Sequence, residues 1–186
     1  MRTRHAGESA LLLLDVVERL TSERIGYAVI GAMAASVHGL VRASIDADVV
    51  LSVPAPELGR LEKLFAAAGF HTELRQGDAE DPIAALLVVA DQHGNRVDLL
   101  AGLRGLEAEA FARAIAVPFQ GELLQFIGRE DFIAMKLSAG GPQDLADARH
   151  ALAGARDALD LALLRRLAAR YGRAAATSLE ALLADP

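Results

Sequence analysis

Two aspartates one residue apart, Asp46 and Asp48, stand in the otherwise apolar segment SIDADVVLS. Successive side chains of a strand point to opposite faces, so residues two apart leave the sheet on the same side. Both carboxylates are therefore expected to emerge together. A third acid, Asp98, lies in RVDLL between Val97 and Leu99, in a segment that also reads as a strand. Like charges gathered in apolar surroundings raise each other's pKa and are unfavourable unless something positive neutralises them. Hard divalent cations take oxygen ligands, and three carboxylates on adjacent strands suit one or two magnesium ions, with water and substrate phosphates completing the coordination. Taken singly, each acid reads as well as a salt-bridge partner or a solvated strand end. The grouping among apolar neighbours is what favours a metal.

Shortly upstream, Gly31 follows a short apolar run and opens a segment of small residues, AMAASVH, that Gly39 closes. A glycine turn from strand into helix exposes backbone N–H groups at the positive end of the helix dipole, where a phosphate fits. Alone, Gly31 reads as a tight turn; beside the acids, it reads as a phosphate site. Cation ligands next to a phosphate cradle suit phosphoryl-type transfer, which needs positioning and charge neutralisation more than covalent chemistry.

The elements expected to hold these residues follow from hydrophobic period and turn signals. Residues 8–20 have helical spacing, with Leu12, Val16, Val17 and Leu20 on one face. Strands are expected over 27–30 and 46–53, flanking the helix 32–38. Pro54 and Pro56 end the second strand and suit the start of a helix that Gly69 closes. Strands are expected at 70–74, 83–90 and 96–100, with an exposed loop over 75–82 and a hairpin turn at Gln92-His93-Gly94-Asn95. Residues 103–114 read as helical, and 116–126 as two short strands around Gly121. From Arg129 onward only helices are expected: 131–139, 144–153, 157–171 and 174–184. The fold class is thus α/β (α+β), a mixed sheet flanked by helices. Residues 1–128 form the α/β part, and residues 129–186 a C-terminal helical region packed on it.

At 186 residues, with 53% hydrophobic and 24% charged residues, the chain is globular rather than disordered, and large enough for a substantial core. It has no cysteine, which excludes disulfides, thiolate metal sites and a thiol nucleophile and suits a reducing cytoplasm. No targeting segment stands out, and the apolar run Leu11–Leu14 is too short to span a membrane. The net charge of −6 disfavours general nucleic-acid binding.

The run from Gly31 through Arg42 and Ser44 to Asp46 and Asp48 resembles the signature of the polymerase-beta-type nucleotidyltransferases. It is nearest to the minimal bacterial branch that includes abortive-infection toxins and antibiotic nucleotidyltransferases. The pattern is a strand, a glycine with a small residue, a helix, and an aspartate–any–aspartate strand. A third aspartate on a later strand matches Asp98. A helical lysine matches Lys136 in DFIAMKLSA, and an aspartate pair three apart matches Asp144 and Asp147. The match extends over residues 29–149.

The resemblance implies that Asp46, Asp48 and Asp98 bind magnesium and that Asp98 acts as, or positions, the base. It implies that the backbone at Gly31 and Ala32 cradles the outer phosphates, and that Lys136 and Asp144 contact the nucleotide. A nucleoside monophosphate, from ATP or another NTP, would pass to a tRNA end, a protein hydroxyl or a small molecule. The pattern departs from the family at Ala32, where a glycine or serine is usual, and at Gly141 and Gln143, where basic residues are common. Both departures reduce the contacts expected to the triphosphate.

Other residues have two readings. Arg42 and Ser44 share parity with Asp46 and either face substrate or serve as a charge partner and a turn hydroxyl. His38 reads as a local cap, His93 as an exposed turn residue, and Asp144 and Asp147 as acids favourably placed near a helix start. Arg166, Arg170 and Arg173 form a basic stripe that is more simply a solvated face than an RNA contact. Two other function classes compete with transfer. One is a non-catalytic nucleotide-binding or toxin–antitoxin partner module on the same fold. The other is a metal-dependent nuclease, which leaves Gly31 unexplained.

Overall fold

The computed structural model describes residues 1–40, 45–154 and 158–184. In chain order the elements are α1 (Ser9–Ser22), β1 (Tyr27–Val29), α2 (Gly31–Val37), β2 (Ala47–Leu51), α3 (Leu58–Ala67), β3 (His71–Gln76), β4 (Ile83–Ala90), β5 (Arg96–Leu103), β6 (Ile115–Phe119), β7 (Glu122–Phe126), α4 (Arg129–Ala139), α5 (Pro142–Ala153), α6 (Leu161–Tyr171) and α7 (Arg173–Ala184). The strands form one seven-stranded sheet in the order β3-β4-β5-β2-β1-β7-β6. It is mixed: β2 runs parallel to β5 and β1 parallel to β7, and the other neighbours are antiparallel. The acid-bearing strand β2 is therefore central, between β1 and β5.

Central position explains the apolar runs. A strand covered on both faces reads as nearly continuous hydrophobic sequence, as β1, β2 and β5 do. The edge strands differ. β3 alternates exposed and half-buried residues, and β6 carries Pro118, whose missing N–H is tolerated on an outer strand. α1 packs on β2 and β5 through Leu12, Leu13, Val16 and Leu20, and α3 packs on β3 and β4 through Leu58, Leu61 and Phe65. The last four helices pack on one another around Phe132, Ile133, Leu164, Leu167 and Leu179. Among the described residues, no helix is long and apolar enough to cross a membrane.

Several element boundaries depart from the sequence pattern, three of them with a clear local cause. Residues 103–114 do not form a helix. Leu103 still pairs with Ile83 in the sheet, Gly105 adopts φ 89°, and only Ala108–Ala110 makes a single 3₁₀ turn. A left-handed glycine interrupts a helix, and at Gly105 a Cβ would also collide with the Tyr171 ring. α5 starts at Pro142 rather than Asp144, since proline suits the first turn. α6 starts at Leu161, where Asp160 caps the helix by accepting from the Leu163 N–H at 2.9 Å; residue 157, the expected start, lies outside the described residues.

The irregular segment after β5 is anchored by charge. Glu107 is buried and accepts both Nη atoms of Arg166 (2.6 and 2.8 Å) and Nη1 of Arg113 (2.9 Å). Arg113 in turn forks onto buried Asp131 of α4 at 2.8 and 2.7 Å. Arg170 donates to the Gly105 carbonyl at 3.2 Å. Two members of the basic stripe are thus tied to the α/β part rather than simply solvated. The network joins the β5–β6 connection to α4 and α6.

Hydrogen bonds from Arg166, with Arg113 adding to them, hold the Glu107 carboxyl down to about 2 from an ordinary 4.5. A lowered acid stabilises the fold above its unfolded pKa and loses that contribution as pH falls through the folded value. Acid unfolding followed by circular dichroism should therefore show stability falling between about pH 4.5 and pH 2, with this component absent from Glu107→Gln. At pH 7, Glu107→Ala should lower the urea-unfolding free energy by about 2–4 kcal/mol, because arginines are left without their partner.

Candidate active site

β2 and β5 run parallel with Asp48 directly opposite Asp98. In a sheet, residues in register share a face, so the two carboxylates stand side by side. Asp98 is buried and Asp48 half-buried. Alternation sends Val97, Leu99 and Ala101 to the opposite face and leaves Leu100 on the acid face. Asp46 is not part of the strand. It lies in the bend before β2, partly exposed, beyond the paired acids.

The cation at this cluster is Arg96, which the sequence-based candidates omit. Its Nε and Nη2 fork onto the two oxygens of Asp98 at 2.8 and 2.7 Å, and Nη2 also stands 3.6 Å from Asp46 Oδ2. The parity that pairs Asp46 with Asp48 also places Arg96 with Asp98, so R-V-D carried the signal. Among the described residues no cationic side chain pairs directly with Asp48. Burial, followed by the charges of Asp98 and Asp46, pushes its carboxyl above the ordinary value, with Arg96 and Lys136 offsetting part of the rise.

Gly31 lies against Asp48. Its φ is 64°, and a Cβ there would collide with Asp48 Oδ2. Glycine is thus required both by backbone conformation and by the carboxylate. α2 begins at this residue, Ile30 precedes it, and no side chain caps the helix start. Ala32 is buried in that first turn. Arg42 and Ser44 fall outside the described residues.

Lys136 of α4 is brought to the same end of the sheet. Its Nζ lies 2.7 Å from Asp144 Oδ1 and 2.9 Å from Asp147 Oδ2. Asp147 is wholly buried and also accepts from Gln143 Nε2 at 3.0 Å. The aspartate pair three apart is therefore a clamp on Lys136 more than a dipole effect. Ile30, Gly31, Leu100, Met135, Lys136 and Asp144 line a cleft of about 340 Å³ between sheet and helical region. That size and mainly apolar lining suit a small-molecule ligand.

The histidines stand apart. His38 is buried, its Nε2 lies 3.0 Å from the Ile127 carbonyl and its ring packs on Phe132, and burial lowers its pKa. Its side chain ties α2 to the β7–α4 junction, while its backbone N–H caps the end of α2 on the Ala34 and Ala35 carbonyls. His93 sits in the turn that buried Asp91 organises by accepting from the backbone N–H groups of His93 and Asn95.

Among the described residues, no three His, Cys, Asp or Glu side chains are gathered as a ready metal cage. Arg96 engages both Asp98 oxygens, and Asp46 stands beyond it. The donor chemistry nevertheless fits a hard divalent cation: the acids share one end of the sheet, are oxygen donors only, and include one half-buried carboxylate that no cation among the described residues pairs with directly.

No protein-family model and no curated protein matches the sequence itself. Solved structures do match. The antibiotic-resistance factor ANT(2'')-Ia aligns with a TM-score of 0.60 and 14% identity, over 96% of this chain and 96% of its own. An antigenic nucleotidyltransferase-like protein from Paracoccidioides brasiliensis aligns at 0.56 and 15% identity, over 98% of this chain and 95% of its own. The lincosamide antibiotic adenylyltransferase LnuA, solved with lincomycin bound, aligns at 0.51 and 10% identity, over 80% of this chain and 98% of its own. At such identities the shared property is the fold. The chain has the nucleotidyltransferase fold: a mixed sheet with helices, followed by C-terminal helices.

Two outcomes test this geometry. Gly31→Ala should destabilise by about 2 kcal/mol, from positive φ and the clash with Asp48. Combining it with Asp48→Ala should recover about 1 kcal/mol of coupling in a double-mutant cycle of urea unfolding. A raised acid contributes stability below its unfolded pKa and loses it as pH rises through the folded value. In divalent-free buffer at pH 7, Asp48→Asn should therefore stabilise the fold by about 0.5–2 kcal/mol, with the gain vanishing below the ordinary aspartate pKa.

Proposed function

On this nucleotidyltransferase fold, we propose that the chain transfers a nucleoside monophosphate from a nucleoside triphosphate to a hydroxyl acceptor and releases pyrophosphate. The observation that carries the reading is the register of Asp48 against Asp98, with Gly31 beneath the first acid and a nucleotide-sized cleft beginning at the same glycine. A buried charge repulsion of this kind lowers stability and is kept where a ligand relieves it.

In this reading the cleft holds the nucleoside between Leu100 and Met135, and the N–H groups at Gly31 and Ala32 receive the outer phosphates. Lys136, held at the cleft by Asp144 and Asp147, would add positive charge near the phosphates by turning from one of these acids toward them. Magnesium held by Asp46, Asp48 and Asp98 would supply the charge that neutralises the triphosphate and the leaving pyrophosphate. The acceptor oxygen attacks the α-phosphorus, the bond to the bridging oxygen of the β-phosphate breaks, and Asp98 takes or directs the acceptor's proton. The acidic net charge favours a small molecule or a protein hydroxyl over a tRNA end as acceptor.

The non-catalytic module has one observation in its favour: Arg96 already neutralises Asp98 from within the chain. The two readings part in one assay. Purified protein is incubated with each α-³²P-labelled nucleoside triphosphate, magnesium and cell extract. Nucleotidyl transfer requires label on an acceptor, reduced at least about 100-fold in Asp48→Asn, the scale of losing one electrostatic element of such a site. Magnesium-independent nucleotide binding without label transfer would establish the module instead.

A further inference from the structure

Arg96 stands where a cation would bind. Its guanidinium takes both oxygens of Asp98 and reaches Asp46 with the same Nη2, so it bridges two of the three acids. It brings one positive charge to this cluster, and among the described residues no cationic side chain pairs directly with Asp48. A divalent ion brings two charges and can be shared by three carboxylates. Each Asp98 oxygen gives one lone pair to the fork, and an ion taking the remaining ones would stand against the guanidinium, charge to charge.

The arginine is also placed to leave. Its side chain is 39% exposed whereas that of Asp98 is 10% exposed, so the guanidinium sits at the rim and the carboxylate behind it. A long stem at the start of β5 can swing without disturbing the core. Glu73 lies on β3, two strands from β5; its fork with Arg75 is the main cause of its lowered pKa, the charge of Arg96 adds a smaller part, and it is 59% exposed, so a second carboxylate lies within electrostatic reach of the displaced guanidinium. Arg75 already forks onto Glu73 at 2.7 and 3.0 Å, so Arg96 would share that acid.

We propose that Arg96 is a built-in competitor for the cation: its positive charge, forked onto Asp98 and reaching Asp46, opposes the divalent ion that Asp46, Asp48 and Asp98 would share, and loading of the ion moves the guanidinium off Asp98. Arg96 is thus a positioning residue that keeps the acids gathered and sets the metal concentration at which the site loads. The inference rests on the nucleotidyl-transfer reading only in taking these acids as cation ligands. By removing the fork, Arg96→Ala should tighten metal binding, where a merely structural salt bridge would leave it unchanged or weaken it.

The test is Mn²⁺ binding to the full chain without nucleotide, followed by the electron paramagnetic resonance signal of free Mn²⁺. Arg96→Ala should lower the Mn²⁺ Kd about tenfold relative to wild type, the scale of one charge-assisted forked pair at a partly exposed site. Arg96→Lys, which keeps the charge but cannot fork, should fall between the two and carries the comparison if the alanine variant does not fold. In wild type the Arg96 Nε–H resonance should shift as Mg²⁺ is added. Equal or weaker Mn²⁺ binding by a folded Arg96→Ala overturns the competition and leaves nucleotidyl transfer to the label assay. Absence of Mn²⁺ binding in both wild type and variants overturns it at the level of the cation site itself.

Discussion

The fold is arranged around a repulsion. Asp48 and Asp98 are register partners on the two central parallel strands, and neither can move away without breaking the ladder that joins β2 to β5. Backbone pairing therefore fixes the separation of two like charges at one strand spacing. What surrounds them answers that constraint: Arg96 forks onto one acid, Asp46 stands beyond it, and Gly31 removes the side chain that would otherwise occupy the space of the Asp48 carboxylate. Asp48 is left with a raised pKa, a standing cost that a ligand of opposite charge would remove.

Two separate charge clusters hold α4, one tying it to the sheet part and the other to α5. On one side Glu107, Arg113, Asp131 and Arg166 tie the β5–β6 connection to α4 and α6. On the other, Asp144 and Asp147 hold Lys136 at the cleft. α4 belongs to both, through Asp131 near its start and Lys136 near its end. The cleft wall formed by Phe132, Met135 and Lys136 is thus set by one helix pinned at both ends. Buried ion pairs of this kind contribute less to net stability than to fixing a geometry, since desolvation offsets much of their attraction.

Local rules account for much of what the sequence shows. The strand 83–90 and the paired strands around Gly121 follow from period and turn residues, whereas the strand parity expected for Asp46 stops short, because β2 begins only at Ala47. Local rules fail at 103–114, where helical spacing is present but Gly105 takes a left-handed conformation against Tyr171. Apolar spacing cannot reveal a contact to a residue so distant in the chain. The same holds for the basic stripe, whose Arg166 and Arg170 look like a solvated face until Glu107 is placed beneath them. Asp147, read as a dipole partner, proves to be a wholly buried counter-ion of Lys136.

By itself the sequence determined which residues could carry charge to one face of a strand and where a glycine must open a helix, because side-chain alternation and the missing Cβ are local properties. Only the tertiary structure decided that β5 lies beside β2 in parallel, that Asp98 meets Asp48, and that Arg96 forks onto Asp98. Strand order is a choice among non-local pairings, each closing a different loop of chain, and no short-range pattern distinguishes them.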